Sequence, residues 1–489
     1  MPASTLGGKP SDFITAGERR HQRLMKPVFN LALLGILAAV SGCGGDDKKE
    51  AAPSCDFAAQ TGCKDGLICE QVAGDAKATT GCFAPVIVEG RVVRADAPDT
   101  GIEGARVMAR DENGAPVSLG VTLSKADGAY ALQVPSQRAA DGTPSVPDLL
   151  LRADAADFAT FPSGLRVAIP VDVSAPTKKS DGYHIANDST DIALDALADT
   201  SGLGSISGKV LADGAAGTLV VAGASSGIAD RDGSYAVFNV PAGAQDVNGY
   251  AAGLSLEPAQ ATVKAGAETK GVDLAASKAA LGSVNGSVSF VNAGAKTTSV
   301  VLVVASTFSD ALKRGEVPRG LRAYPVTGSY AFSDVPAGDY VVLAAFENDK
   351  LVRDPDESIG GTAIQRISVA GAAVDVPGFK ITGALDVVAP GADGPEHLKG
   401  AATFEWADDS SEDGYEVQVL DTFGNEVWKD TEVPNVSGAA TVTLAYGGPT
   451  LTPGYYQFRA VSWRAAKKGS TVRTYISATE DLKGVFIVD

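Results

Sequence analysis

After residue 45 the apolar positions of this chain alternate with polar ones over short runs, and the runs are separated by turns rich in glycine and proline. No long stretch carries apolar residues at helical spacing. Alternation puts residues i and i+2 on one face of a strand, so the pattern predicts short strands and an all-β chain. The pattern also repeats. Val88-Glu89-Gly90-Arg91-Val92 returns as Ile206-Ser207-Gly208-Lys209-Val210 and as Val284-Asn285-Gly286-Ser287-Val288. In each run the central glycine suits a bulge or a close contact. A second signature follows in each unit: Asp127-Gly128-Ala129-Tyr130, Asp232-Gly233-Ser234-Tyr235 and Thr327-Gly328-Ser329-Tyr330, each opening an alternating strand that stops at Pro135, Pro241 or Pro336. The x-Gly pair makes the turn because glycine tolerates positive φ, and proline ends the pairing. Another apolar strand closes each unit, around residues 192–194, 272–274 and 374–376. Tyr130, Tyr235 and Tyr330 are thus expected at equivalent places in three separately folding sandwiches.

This double signature resembles the carboxypeptidase regulatory-like family over roughly residues 86–383. The resemblance implies a transthyretin-like β-sandwich, grouped with carbohydrate-binding-like folds, working as an accessory module in exported proteins. Gly104-Ala105-Arg106-Val107 is similar to the family's second strand. The second unit is short, and the third has a long insertion between its signatures. Beyond residue 383 the pattern changes. Phe404-Glu405-Trp406, Tyr415-Glu416-Val417 and the run from Leu451-Thr452-Pro453 to Tyr456 resemble a fibronectin type III domain. On that resemblance Trp406 is core and Tyr456 is the corner tyrosine. Trp428 and Trp463 are read as core, with an aromatic ligand platform as the other possibility.

The N-terminal region has a different logic. Lys26 precedes an apolar run over residues 28–40, and small residues follow it. That is the build of a secretory signal peptide, too short for a span that needs about 20 residues. Val40-Ser41-Gly42-Cys43 resembles the bacterial lipobox. The resemblance implies lipid attachment at Cys43, with diacylglycerol on the thiol and an acyl chain such as palmitate on the new N-terminus. Gly44 after the cysteine implies the outer membrane as destination, on its periplasmic or its external face. Residues 1–24 are polar and precede a second candidate start, Met25.

Cysteine usage fits export. Apart from Cys43, the cysteines are Cys55, Cys63, Cys69 and Cys82. An even, clustered set in an exported chain predicts two disulfides, with three pairings open. A zinc site would need closer ligand pairs. The segment is too small for its own core, so the bridges should hold a knob against the first module. The expected organisation is a leader and signal peptide (1–42), a tether (43–54), the Cys-rich knob (55–83), sandwich modules at 84–200, 201–280 and 281–383, and the fibronectin-like domain at 384–489.

Charge narrows the function further. The chain of 489 residues carries a formal net charge of −18. Residues 1–42 hold five basic and two acidic residues, so the chain beyond them carries −21. Such a surface repels phosphate backbones, which argues against nucleic acid as a partner. Catalytic candidates are few. Beyond the leader the histidines are His184 and His397, neither near a cysteine in sequence. Gly223-Ala224-Ser225-Ser226-Gly227 matches the pattern of a serine nucleophile elbow, but that motif needs a strand–turn–helix, and here it sits in a short all-β unit. Asp349, Asp354, Asp356 and Glu357, with Asn348, crowd one stretch of the third unit. Hard oxygen ligands of this kind suit calcium, although their order is not that of an EF-hand; otherwise no metal or cofactor is expected. The reading is a lipid-anchored, non-enzymatic envelope protein, an extended structural or adhesive scaffold whose partners are the membrane, through its lipid, and an envelope protein or polysaccharide. A glycan-binding surface lipoprotein is the first alternative, and an enzyme with an unfamiliar site the second.

Overall fold

The computed structural model describes residues 55–489 except 58–59, 65, 74–78, 113, 118–119, 164–168, 292–293, 295–296, 311–312, 346–363, 410, 437 and 468–471. Cys43 with its leader and tether, and the acidic candidates Asp349, Asp354, Asp356 and Glu357, lie outside the described residues. Regular structure among the described residues is strand apart from single 3₁₀ turns at Asp188–Thr190 and Ala305–Thr307. No helix there is long and apolar enough to cross a membrane. The protein is all-β and built of sandwich-like modules.

The three signature units share one plan. In the second, strand Leu203–Leu211 pairs antiparallel with Ser234–Pro241 and parallel with Glu268–Thr269 and Leu274–Ala275. The facing sheet runs in the order Ser225–Ile228, Leu219–Ala222, Gly243–Tyr250, Ala259–Val263. The third unit repeats this topology. Gly282–Val291 pairs with Ser329–Val335, Ala373–Asp375 and Phe379–Thr382, opposite a sheet ordered Arg322–Val326, Thr298–Val304, Gly338–Ala345, Gln365–Val369. In the first unit Val86–Arg94 takes the opening position, pairing antiparallel with Ala129–Val134 and parallel with Tyr183–Ile185 and Ile192–Leu194. Its second sheet is Leu150–Asp154, Arg106–Arg110 and Thr122–Leu123.

The repeated glycine has a steric reason. Gly90, Gly208 and Gly286 lie directly opposite Tyr130, Tyr235 and Tyr330 in register. Each tyrosine is buried. The Tyr130 hydroxyl donates to Thr190 O at 2.5 Å, and the Tyr235 hydroxyl donates to Val272 O. A Cβ on Gly90 would stand 2.2 Å from Thr190 O; one on Gly208 would stand 2.0 Å from Val272 O. On Gly286 it would stand 2.2 Å from the Tyr330 hydroxyl oxygen. The glycine therefore leaves room for the ring and for the closing strand. A buried tyrosine beside a strand glycine also restores apolar cover that the glycine lacks.

In the C-terminal domain Phe404, Trp406, Tyr415, Phe458 and Phe486 fill the core. The Tyr456 hydroxyl donates to Thr452 O at 2.9 Å, tying the strand back to the segment before it. At the other end Cys55 is bonded to Cys69 and Cys63 to Cys82. The knob joins the first module by a sheet: Ile68–Val72 pairs antiparallel with Thr79–Phe83 and parallel with Gln137–Arg138. Glu70, buried there, pairs with the Arg138 guanidinium and accepts from Ser136 N at 2.9 Å. Arg138 also stacks on the Phe83 ring, 5.0 Å from its centroid, and donates to Ala84 O at 2.7 Å.

The expectation of separate sandwiches in an extended array is corrected, because the modules share buried contacts. On the first module's second sheet Val107, Ala109, Leu151 and Ala153 face its own core. The alternate residues Arg106, Met108, Arg110, Leu150, Arg152 and Asp154 lie on the opposite face, paired in register across the two strands. That face is covered by the other modules. Arg152, fully buried, makes a two-point contact with Asp154 at 2.8 Å and 2.8 Å, donates to Ser226 O at 3.2 Å in the second module, and pairs with Glu316 in the third. Arg110 pairs with the same Glu316 carboxylate, and Arg106 donates to Ile228 O at 3.1 Å. Around this hub one apolar cluster runs from Met108 through Leu219, Val221, Ile228 and Tyr250 into the core of the third module. Asn239 of the second module donates to Phe158 O at 2.7 Å and Ala155 O at 3.1 Å. The C-terminal domain is tied to the first module by Tyr455, whose hydroxyl donates to Asp172 at 2.7 Å.

Candidate functional site

The packing that joins the second and third modules leaves a cleft of about 540 Å³ beside their joint. Its floor follows from strand alternation. On Gly243–Tyr250, Val247 points into the second module's core. Asn248 and Tyr250 stand opposite Val221 and Leu219 in register, so this row shares the outward face with Asp246. Near the joint that face is apolar and covered: Leu219, Val221 and Tyr250 pack into the shared cluster. Tyr250 meets Tyr340 edge-on at 6.0 Å. Farther along the strand the row turns polar, at Asn248 and Asp246, and opens into the cleft.

The third module supplies the opposite wall from Val304, Ala305, Ser306 and Asp339. The 3₁₀ turn Ala305–Thr307 is held by the hub: Thr307 Oγ1 accepts from Glu316 N at 2.9 Å, and Val304 N donates to Glu316 O at 3.0 Å. The charged hub thereby places one wall of the cleft. Asp246 accepts from the Gln260 amide. Among the described residues, no hydrogen bond engages the side chains of Asn248, Ser306 or Asp339, and no lysine or arginine lines the cleft. Burial, and then the charge of Asp339, push the Tyr250 hydroxyl above the ordinary tyrosine range. The arrangement offers unengaged acceptors and amide donors over an apolar floor.

Other candidate residues are placed as follows. The Gly223–Gly227 motif is a hairpin between Leu219–Ala222 and Ser225–Ile228, with Gly223 at φ +63° in the two-residue turn. Ser225 donates to Asn239 O at 2.8 Å, and Ser226 accepts from Arg152. Neither serine has a histidine partner, and the strand–turn–helix that a nucleophile needs is missing here. His184 is buried between Glu89 and Asp181, at 2.9 Å and 3.0 Å, while His397 is exposed and lies 2.8 Å from Asp489. The sulfurs of Cys55, Cys63 and Cys69 lie within 4.8 Å of one another, but as members of two disulfides rather than as free ligands. Trp463 is covered by the Arg473 guanidinium, 4.0 Å from its ring centroid, and Trp428 packs against Tyr446 at 5.1 Å. Neither forms an open platform.

Sequence reading missed the hub and the cleft. A charge pair in the apolar run Leu149-Leu150-Leu151-Arg152-Ala153-Asp154 was the available signal for the hub. Asn248 and Asp339 carried none, because lone polar residues on alternating strands read as solvent-facing.

The fold and cleft define a multi-sandwich all-β protein with an inter-module concavity. No family model matches the chain, and no curated protein does. Among solved structures it is similar to the Bacillus anthracis TIE protein, at 12% identity over 88% of this chain and 74% of that one, with a TM-score of 0.17. It is also similar to a DUF3823 family protein from Bacteroides ovatus (14% identity, 42% of this chain, 98% of that one, TM-score 0.19). A third is the major pilin subunit of Bacillus cereus (9% identity, 60% of this chain, 99% of that one, TM-score 0.17).

Proposed function

We propose that this chain is a lipid-anchored, non-enzymatic protein of the bacterial cell envelope, a scaffold that holds its sandwich modules in fixed relation and presents their surfaces for adhesion or binding. The observation that carries the scaffold reading is the hub of Arg152, Asp154 and Glu316, which joins three modules through buried charge. A flexible string of beads has no use for such a joint. The tyrosine–glycine pairing repeated three times supports a carboxypeptidase regulatory-like origin for the modules. The Tyr456–Thr452 bond and the buried Trp406 support a fibronectin type III-like origin for the last domain. The apolar run before Val40-Ser41-Gly42-Cys43 supports export and lipid attachment, with the outer membrane as the destination. Several acyl chains make such anchoring stable, since each buried methylene contributes about 0.8 kcal/mol.

The test is Cys43→Ala in cells fed a clickable palmitate analogue. Labelling is expected to vanish, precursor to accumulate, and the protein to leave the membrane fraction. Undiminished labelling of the variant refutes the anchor. Protease shaving of intact cells then decides between the periplasmic and the external face.

A further inference from the structure

We infer that the cleft between the second and third modules is a binding site for a neutral saccharide. The inference rests on the non-enzymatic reading above and adds the ligand class and the residues. Three features of the cleft point to it. The first is charge. Among the described residues, Asp246 and Asp339 lie in the lining and no lysine or arginine does. With no cation among the described lining residues to offset these carboxylates, a phosphate, sulfate or uronate ligand is repelled, and the ligand must bring hydrogen-bond donors of its own. Hydroxyl groups do so without charge.

The second feature is unused hydrogen-bonding capacity. Asn248, Ser306 and Asp339 converge on one space from two modules, and among the described residues no hydrogen bond engages their side chains. An amide offers donors and an acceptor, a hydroxyl offers both, and a carboxylate accepts. Together they can satisfy vicinal hydroxyls, each of which donates and accepts. A purely apolar ligand would strip water from all three groups and return nothing, a cost of about 1–3 kcal/mol for each group. The third feature is the floor. Val221, Val304 and Tyr250 line the bottom of the cleft as buried side chains, so among the described residues it offers a narrow apolar base and no aromatic face for stacking, and recognition falls to the polar rim. The volume falls within the roughly 300–1,000 Å³ that encloses a small ligand, and the cleft's open side leaves a longer glycan free to run out into solvent. Because the two walls come from different modules, the hub that fixes the modules also fixes the spacing of the site.

The test is isothermal titration of the full lipid-bearing chain, in a polyoxyethylene detergent, against cellotetraose, laminaritetraose, mannotetraose and chitotetraose. Glucose 6-phosphate and calcium chloride serve as charged comparisons. At least one neutral oligosaccharide is expected to bind. Asn248→Ala and Asp339→Asn should each weaken it by about tenfold, the effect of losing one ligand hydrogen bond, with melting temperature unchanged. Lys264→Ala, outside the lining, should bind as the unaltered chain does. The inference is overturned if no neutral oligosaccharide binds, if only the phosphorylated sugar or calcium binds, or if binding survives both cleft substitutions undiminished. Cys43→Ala protein should give the same titration, so failure of the anchor and failure of the cleft are separable. Cleavage of a bound oligosaccharide would instead overturn the non-enzymatic reading and leave the cleft in place.

Discussion

At the scale of single residues the energetics concentrate on Glu316. Burial opposes its charge, but the guanidinium groups of Arg110 and Arg152 outweigh burial and hold its carboxyl below the ordinary glutamate value. A carboxylate whose folded-state pKa is depressed contributes its stabilisation fully above the unfolded-state value, near 4.3. That contribution is lost as pH falls through this value toward the lower folded-state one. The chain should therefore lose stability below about pH 4.3, and Glu316→Gln should flatten that acid limb while lowering stability at neutral pH. Arg152→Met is the harsher change. It leaves Asp154 and Glu316 without their shared cation, and removing one partner of a buried pair costs roughly 3–5 kcal/mol. Urea unfolding of both variants across the acid range, followed by far-ultraviolet circular dichroism, measures this, because Trp406, Trp428 and Trp463 all lie in the C-terminal domain and do not report on the joint. An unaltered acid limb in Glu316→Gln would show that the stability of the joint does not depend on this charge.

At the scale of strands the glycine and the tyrosine of each repeat act as one device. Gly208→Ala drives a methyl group against Val272 O, and Gly286→Ala drives one into the Tyr330 ring. Neither neighbour can yield cheaply, one being backbone and the other a packed aromatic. Each substitution should cost about 1–3 kcal/mol, as overpacking does. Tyr235→Phe keeps the ring and loses only the bond to Val272 O, so it should cost about 1 kcal/mol. Thermal melts of the three variants give the order; a Gly208→Ala protein as stable as the parent would show that the strands part without penalty. This device was legible in the chain because it recurs: Gly90, Gly208 and Gly286 stand at one place in three copies of a period-two pattern. The disulfide cluster was legible too, but its pairing was not, since which cysteines meet depends on the Ile68–Val72 hairpin and its seat on Gln137–Arg138. The outward row Arg106, Met108, Arg110 was illegible for a deeper reason. Alternation distinguishes a strand's two faces but does not say whether the polar one meets water or another module, and here the polar face is the joint. The cleft could not be read for the same reason, since its walls belong to strands about ninety residues apart in sequence, Gly243–Tyr250 and Gly338–Ala345.

At the scale of the whole molecule the question is how many units melt. Tandem sandwiches with short linkers and polar surfaces would give one transition for each module. The contacts here point to fewer. Leu219, Val221 and Tyr250 of the second module, with Met108 of the first, belong to the same buried cluster as Val300, Leu302 and Tyr340 of the third. Unfolding the third module alone would expose that face of the second and strand Arg110 without its carboxylate partner Glu316, leaving Arg152 with Asp154 alone. The cost of the stranded charge, added to the exposed apolar surface, couples the modules more tightly than the chain connection does. Scanning calorimetry of the full chain should therefore show the three signature modules melting as one cooperative transition. Tyr330→Ala, which removes a large buried aromatic worth roughly 3–5 kcal/mol, should lower that whole transition rather than detach a third of it. Arg152→Met should do what Tyr330→Ala does not, and split the transition, because it weakens the joint while leaving every sandwich core intact. Three separate transitions in the unaltered chain, each shifted only by its own tyrosine, would show that the buried joint carries too little energy to couple the modules.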